Sequence, residues 1–281
     1  MVENDIYNNQ SRYELFKKNI SNLPIEPHRR QPKTKKGVYY VKNPENCVYF
    51  TTLCNRFEAK DLSYVRRLRL QKTLLMICHV SEKNLREFER EDADAVVTFM
   101  HTRYPSPKSK SDFIRDIKYL WKQLFPERDE RGRIDDTIMP YAVRHLSGKV
   151  DKSREKRRED KLEWKEYEDI LNFFNGDPCI QSYIAISTES LGRPQEILYT
   201  KIKDIEIFDN YAKIHISEHG KEGIGFLQCI DSYPYLVKWL ESHPFKNNKN
   251  SYLFINMGKR NYGKQLKPTS VNEKLKLACK Y

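Results

Sequence analysis

Two short stretches carry side chains whose chemistry suits a phosphate. In ESLGRPQEILYTKIKDIEI, residues 189 to 207, Arg193 stands between a glycine and a proline, and Glu196 follows three residues later. Proline is tolerated at the first position of a helix, where the N–H it lacks would have no partner. Arg193 therefore falls at or just before a helix start. Unpaired N–H groups favour an anion there, and a guanidinium adds a planar, two-point partner for it. The competing reading is a brace, in which Arg193 pairs with Glu196 and stiffens a buried turn. In HGKEG, residues 219 to 223, Gly220 and Gly223 flank Lys221. A lysine in such a turn extends its ammonium outward, to a ligand or simply to water.

Further cations are grouped along the chain. In SKSDFIRDIKYLWKQLF, residues 109 to 125, Phe113, Ile117, Leu120 and Leu124 repeat at helical spacing, and Ile114 and Trp121 widen the apolar face. Arg115, Lys118 and Lys122 fall at i, i+3 and i+7 away from that face, with Lys108 and Lys110 at the start of the helix. Such a stripe either meets phosphates or is a solvated face, and Asp112 and Asp116 lie on its flank. The run KSREKRR at 152 to 158 adds Lys152, Arg154, Arg157 and Arg158.

The whole composition points the same way. Fifty-one Lys and Arg against 39 Asp and Glu give a formal net charge of +12, and aromatic residues make up 12% of the 281. That is a folded basic chain, and a polyanion is the partner it implies. Nucleic acid fits better than a membrane. No segment reaches the roughly 18 consecutive apolar residues of a spanning helix, and MVENDIYNNQ lacks the apolar stretch of a signal peptide. A cytoplasmic protein is the expectation. Six cysteines, at 47, 54, 78, 179, 229 and 279, form no C-x-x-C pair and meet no histidine at zinc-finger spacing. They read as scattered thiols, with no metal and no cofactor expected.

The elements that must position these groups follow from periodicity. Residues 1–57 read as polar and tyrosine-rich without a hydrophobic period, and HRRQPKTKKG within them reads as a basic arm for phosphates or as a solvated tail. Residues 58–126 read as a helical basic domain of three or four amphipathic helices, which the resemblance stated below makes a DNA-binding one, and residues 127–160 as a basic linker. Residues 161–281 open on LEWKEYEDILNFF, a short helix expected to bury Trp164, Tyr167, Ile170, Leu171 and Phe174. After Arg193 the period changes to two. IEIFDNYAKIHIS reads as a hairpin turning at Asp209 and Asn210, IGFLQCI as the next strand, YPYLVKWLESH as a helix and SYLFI as a strand. The fold expected is mainly α with a small antiparallel sheet.

With these residues in order, roughly residues 60 to 281 resemble the tyrosine recombinases of the phage-integrase superfamily. SLGRPQEIL is similar to the family's G-L-R-x-x-E-L motif at Arg193 and Glu196, KIKDIEI to its L-x-x-x-D-I segment, and HGKEG to its G-K-T-G turn. KWLESHP resembles the archaeal members. Leu191 and Gly192 stand in reversed order, Glu222 replaces the usual threonine, and the arginines that often follow the turn are missing. The resemblance implies a helical, SAM-like core-binding domain and an α+β catalytic domain. It implies a site-specific recombinase or integrase that cleaves and rejoins DNA strands through a 3′-phosphotyrosine, as a homo-tetramer on two duplexes, without metal. Arg193 would hold the scissile phosphate, Lys221 would protonate the leaving oxygen, and Glu196 would orient Arg193. The family's H-x-x-R box and nucleophilic tyrosine have no counterpart here, and Tyr281 is a poor substitute. The expectation is an incomplete catalytic domain, inactive alone, or alternatively a non-catalytic remnant that occupies attachment-site DNA.

Overall fold

Apolar residues at helical spacing build a first unit, Asn8–Arg157. The structure, a computed structural model, describes residues 5–20, 39–149, 162–216 and 225–279. Helices α1 (Asn9–Lys18), α2 (Cys47–Ala59), α3 (Tyr64–Val80), α4 (Arg90–Arg103) and α5 (Pro107–Leu124) surround one core. In α5, Phe113, Ile117, Leu120 and Trp121 are buried as their spacing predicts. Helix α2 contributes Phe50, Leu53, Cys54 and Phe57 at i, i+3, i+4 and i+7, and α1 contributes Tyr13. Burying each such large side chain stabilises the fold by about 1.5–3 kcal/mol.

This corrects the reading of residues 1–57 as an unpatterned arm. The helical period from Phe50 to Phe57 is present in the sequence, hidden among the threonines and the asparagine that share the helix. The basic stretch 28–37 itself lies outside the described residues. The boundaries of the linker change as well. Residues 126–149 form a tight turn at Gly132 (φ 75°), bridged between Arg128 and Ile134, and then the single-turn helix α6 (Tyr141–Arg144). Val143 is fully buried and Leu146 nearly so, both in the first core. That segment is part of the helical unit.

The second unit combines Arg158–Tyr281 with Met1–Tyr7. It begins with α7 (Trp164–Phe173), α8 (Pro178–Ser190) and α9 (Pro194–Leu198). Three strands follow, β1 (Ile205–Ile207), β2 (Ala212–Ile216) and β3 (Gly225–Cys229), in an antiparallel sheet of order β1-β2-β3. Ile205 pairs with Ile214, and Ile214 with Leu227. Ala212, Ile214, Leu227 and Cys229 line the core face, as the period of two requires. Helices α10 (Tyr233–Ser242) and α11 (Pro268–Ala278) complete the unit.

Two expectations differ. Trp164 is exposed, and its indole N–H donates to Glu168 at 2.8 Å, while Leu171 and Phe174 carry the burial of that segment. Ser251–Ile255 forms no ladder among the described residues. It is held by isolated bridges from Lys201 to Tyr252 and from Ile255 to Gln265, and Leu253, Phe254 and Ile255 are all fully buried. Continuous burial of consecutive residues replaces the alternation that a half-buried strand would show.

Candidate nucleic-acid interface

Arg193 is the residue immediately before α9, with φ −66° and ψ 144°, and Pro194 occupies the first helical position. The helix start expected at Arg193 and Pro194 is present. Glu196 is the third residue of the same helix. One of its oxygens accepts the Arg193 backbone N–H at 2.9 Å, and the other accepts Nη1 of the Arg193 guanidinium, also at 2.9 Å. The Arg193 side chain is 44% exposed and that of Glu196 only 8%. The carboxylate thus caps its own helix and anchors the arginine from beneath. At five residues, α9 is too short to lend much dipole, and the positive charge at its start is that of the guanidinium.

Glu189, the first residue of the stretch 189–207, has a separate task that sequence reading missed. Glu189, near the end of α8, accepts the backbone N–H groups of Ile230 (2.7 Å), Asp231 (3.2 Å) and Ser232 (2.8 Å), and the Ser232 hydroxyl (2.5 Å). Ser232 stands at the N-cap of α10 but makes no side-chain cap bond of its own, and Glu189 from another helix instead accepts its hydroxyl and the N–H groups that lead into α10. Burial would raise the Glu189 pKa, but the four hydrogen bonds outweigh it and hold the carboxyl below its ordinary value. A carboxylate that accepts three backbone donors four residues before Arg193 fixes where α8 ends relative to α10.

The stripe on α5 divides in two. Arg115 and Lys108 are exposed and share Asp112, at 2.6 and 3.5 Å. Lys118 donates to the Arg144 carbonyl at 3.4 Å and Lys122 to the Asp136 carbonyl at 2.6 Å, so these two tie α5 to the segment 136–144. Lys110 is half-buried in the first turns of the helix. Beside α5, helix α3 presents Arg66, Arg69 and Lys72 at i, i+3 and i+6, all exposed. Arg66 lies over the Tyr119 ring at 5.1 Å, and Arg69 pairs with Asp116 at 2.6 Å. Sequence reading had the signal, three cations at helical spacing in YVRRLRLQK, and did not use it. Lys221, Lys152, Arg154, Arg157 and Arg158 lie outside the described residues. Among the described residues no group of three His, Cys, Asp or Glu side chains could hold a metal ion, and no helix is long and apolar enough to cross a membrane.

The sequence matches no protein-family model and no curated protein. Solved structures do share its fold. A lambda integrase dimer bound to a COC′ core site gives a TM-score of 0.61 at 14% identity, over 95% of this chain and 71% of that one. A lambda integrase tetramer bound to a Holliday junction gives 0.59 at 12% identity, over 96% and 73%. XerH site-specific recombinase bound to palindromic difH substrate, in a post-cleavage complex, gives 0.58 at 18% identity, over 95% and 77%. At these identities the likeness is one of fold. The fold of this chain is that of the tyrosine recombinases and integrases.

Proposed function

We propose that this chain is a DNA-binding protein of the tyrosine recombinase kind, gripping duplex DNA with both of its units, and that Arg193 holds a backbone phosphate. The fold supports the class. The observation that carries the assignment is the presentation of Arg193: a half-exposed guanidinium fixed by a nearly buried carboxylate at 2.9 Å. Attack of a tyrosine on a phosphodiester builds charge on the non-bridging oxygens and expels a deoxyribose oxygen. A planar donor on those oxygens and a proton source at the leaving group lower the barrier. Arg193 supplies the first in this reading, with Glu196 orienting it. Lys221 is proposed for the second on the resemblance of its turn alone. Assembly as a homo-tetramer on two duplexes belongs to the same proposal, as does cleavage through a 3′-phosphotyrosine.

A second reading, grip without cleavage, applies to residues 1–281 taken by themselves, which contain no H-x-x-R sequence. Both readings require the same DNA interface. The test is fluorescence anisotropy with a duplex over a series of salt concentrations, together with thermal melting. Affinity is expected to fall with salt, by a slope of about 0.9 per phosphate contacted. Arg193→Lys keeps a cation beside Glu196, so the melting temperature should hold while the two-point grip and duplex affinity decline. Where a strand is cleaved, the loss of one such donor costs about 10²–10³ in rate. A melting shift with unimpaired DNA binding would make Arg193 a brace and remove it from the site.

A further inference from the structure

We infer that Asp116 is a positioning residue: from its nearly buried place on α5 it holds Arg69 of α3 so that the guanidinium is presented to a backbone phosphate. The inference rests on the reading of the helical unit as a duplex-binding element, and it names one phosphate site within that element. The Asp116 side chain is 5% exposed and that of Arg69 is 50% exposed, with Nη2 donating to Oδ1 at 2.6 Å. An exposed ion pair leaves both partners free to part into water. Here the carboxylate is fixed in the packing and the guanidinium alone reaches the surface. Much of the rotamer freedom that arginine would lose on gripping a phosphate is therefore already lost.

The surroundings fit an anion. Arg66 sits over Tyr119 on the same pair of helices, Lys72 is one turn beyond Arg69, and Arg115 occupies the neighbouring carboxylate, Asp112. Burial raises the Asp116 pKa in spite of Arg69, which measures how unfavourable that depth is for a carboxylate. The same construction recurs in the second unit, where Arg193 is 44% exposed on an 8% exposed Glu196. Each unit thus carries a half-exposed arginine held from beneath by a carboxylate.

The test uses the full chain and a duplex of random sequence, with affinity measured between about 50 and 200 mM salt and melting followed in parallel. Arg69→Ala should flatten the salt slope by about 0.9. Asp116→Asn keeps the size and an acceptor oxygen and removes a negative charge, so electrostatics alone would tighten binding. Positioning predicts the opposite: binding weakens, and loss of the whole phosphate contact would make the deficit roughly threefold greater at about 50 mM than at about 200 mM salt. In the Arg69→Ala background, Asp116→Asn should no longer weaken binding. Equal or tighter binding by Asp116→Asn, per folded molecule, would overturn the inference. Should that variant fail to fold, Asp116→Glu retains the charge and displaces the carboxylate by a methylene. It too should weaken binding, and unchanged affinity overturns the role. Absence of salt-dependent duplex binding by the unsubstituted chain would sink the DNA reading itself, and this inference with it, before any variant is made.

Discussion

Leu191 takes a left-handed conformation, φ 51° and ψ 21°, at the end of α8, and its side chain is 85% exposed. Glycine is the residue that ordinarily occupies such a position, because a Cβ there crowds the following carbonyl. The neighbouring Gly192 has its own requirement. A Cβ on it would meet Ile197 at 3.2 Å and the Ser190 hydroxyl at 3.1 Å, so the close approach of α8 to α9 keeps residue 192 small. The reversed Leu-Gly order just before Arg193 therefore has a physical consequence: the strain sits on Leu191. Leu191→Gly should raise stability by about 0.5–1 kcal/mol, the relief of strain being partly offset by the greater entropy of glycine in the unfolded chain. Denaturant unfolding measures it. A loss of stability would mean that the exposed leucine makes a contribution its solvent exposure does not reveal.

At the scale of elements, two groups tie the second unit together and both respond to acid. Glu189 joins the end of α8 to the start of α10. His243 ends α10: its Nδ1 accepts the Phe245 N–H at 3.0 Å, and Nε2 lies 3.1 Å from the Tyr252 carbonyl. Only the neutral ring protonated at Nε2 makes both bonds. Burial lowers its pKa, although the carbonyl acceptors oppose this. Both groups have folded pKa values below their unfolded ones, so the unfolded chain binds more protons. Their stabilisation is complete above the ordinary value, about 6.5 for histidine and about 4.3 for glutamate, and is lost as pH falls through the folded value. Melting temperature should decline from about pH 6.5 downward, with a second decline below about pH 4.5. His243→Gln should shrink the first decline, which half-buried His79 shares, and Glu189→Gln the second, which Glu58 shares through Lys17, the latter variant at a cost of about 1–2 kcal/mol at neutral pH for the weakened cap. A first decline left unchanged in His243→Gln would assign it to other groups.

At the scale of the whole molecule, a chain of these 281 residues should hold duplex DNA without forming a covalent adduct, since it has no second arginine in an H-x-x-R setting. A nicked duplex that traps a cleaved strand, analysed on a denaturing gel, checks this. An adduct would require one of the chain's own tyrosines as nucleophile. Much of this protein was legible in the sequence. The +12 charge, the apolar stripe of α5, the turn at Asp209 and Asn210, and the Arg-Pro helix start with its glutamate are all local properties. Each depends on residues within a few positions, where spacing and backbone preference decide the outcome. Other features depend on residues far apart in the chain. Phe50 to Phe57 carry a helical period of their own, but what that face packs against is set by the core of the first unit, and Ile6 joins the core of the second unit, its N–H reaching the Tyr199 hydroxyl at 3.2 Å. Charge is where the difference matters most. The sequence shows how many cations lie on a helix, but not which of them a carbonyl or carboxylate engages. Lys118 and Lys122 turned to the backbone of 136–144, while Arg69 and Arg193 were each placed on a buried carboxylate. Tertiary packing decided this, because burial fixes one partner of an ion pair and leaves the other at the surface.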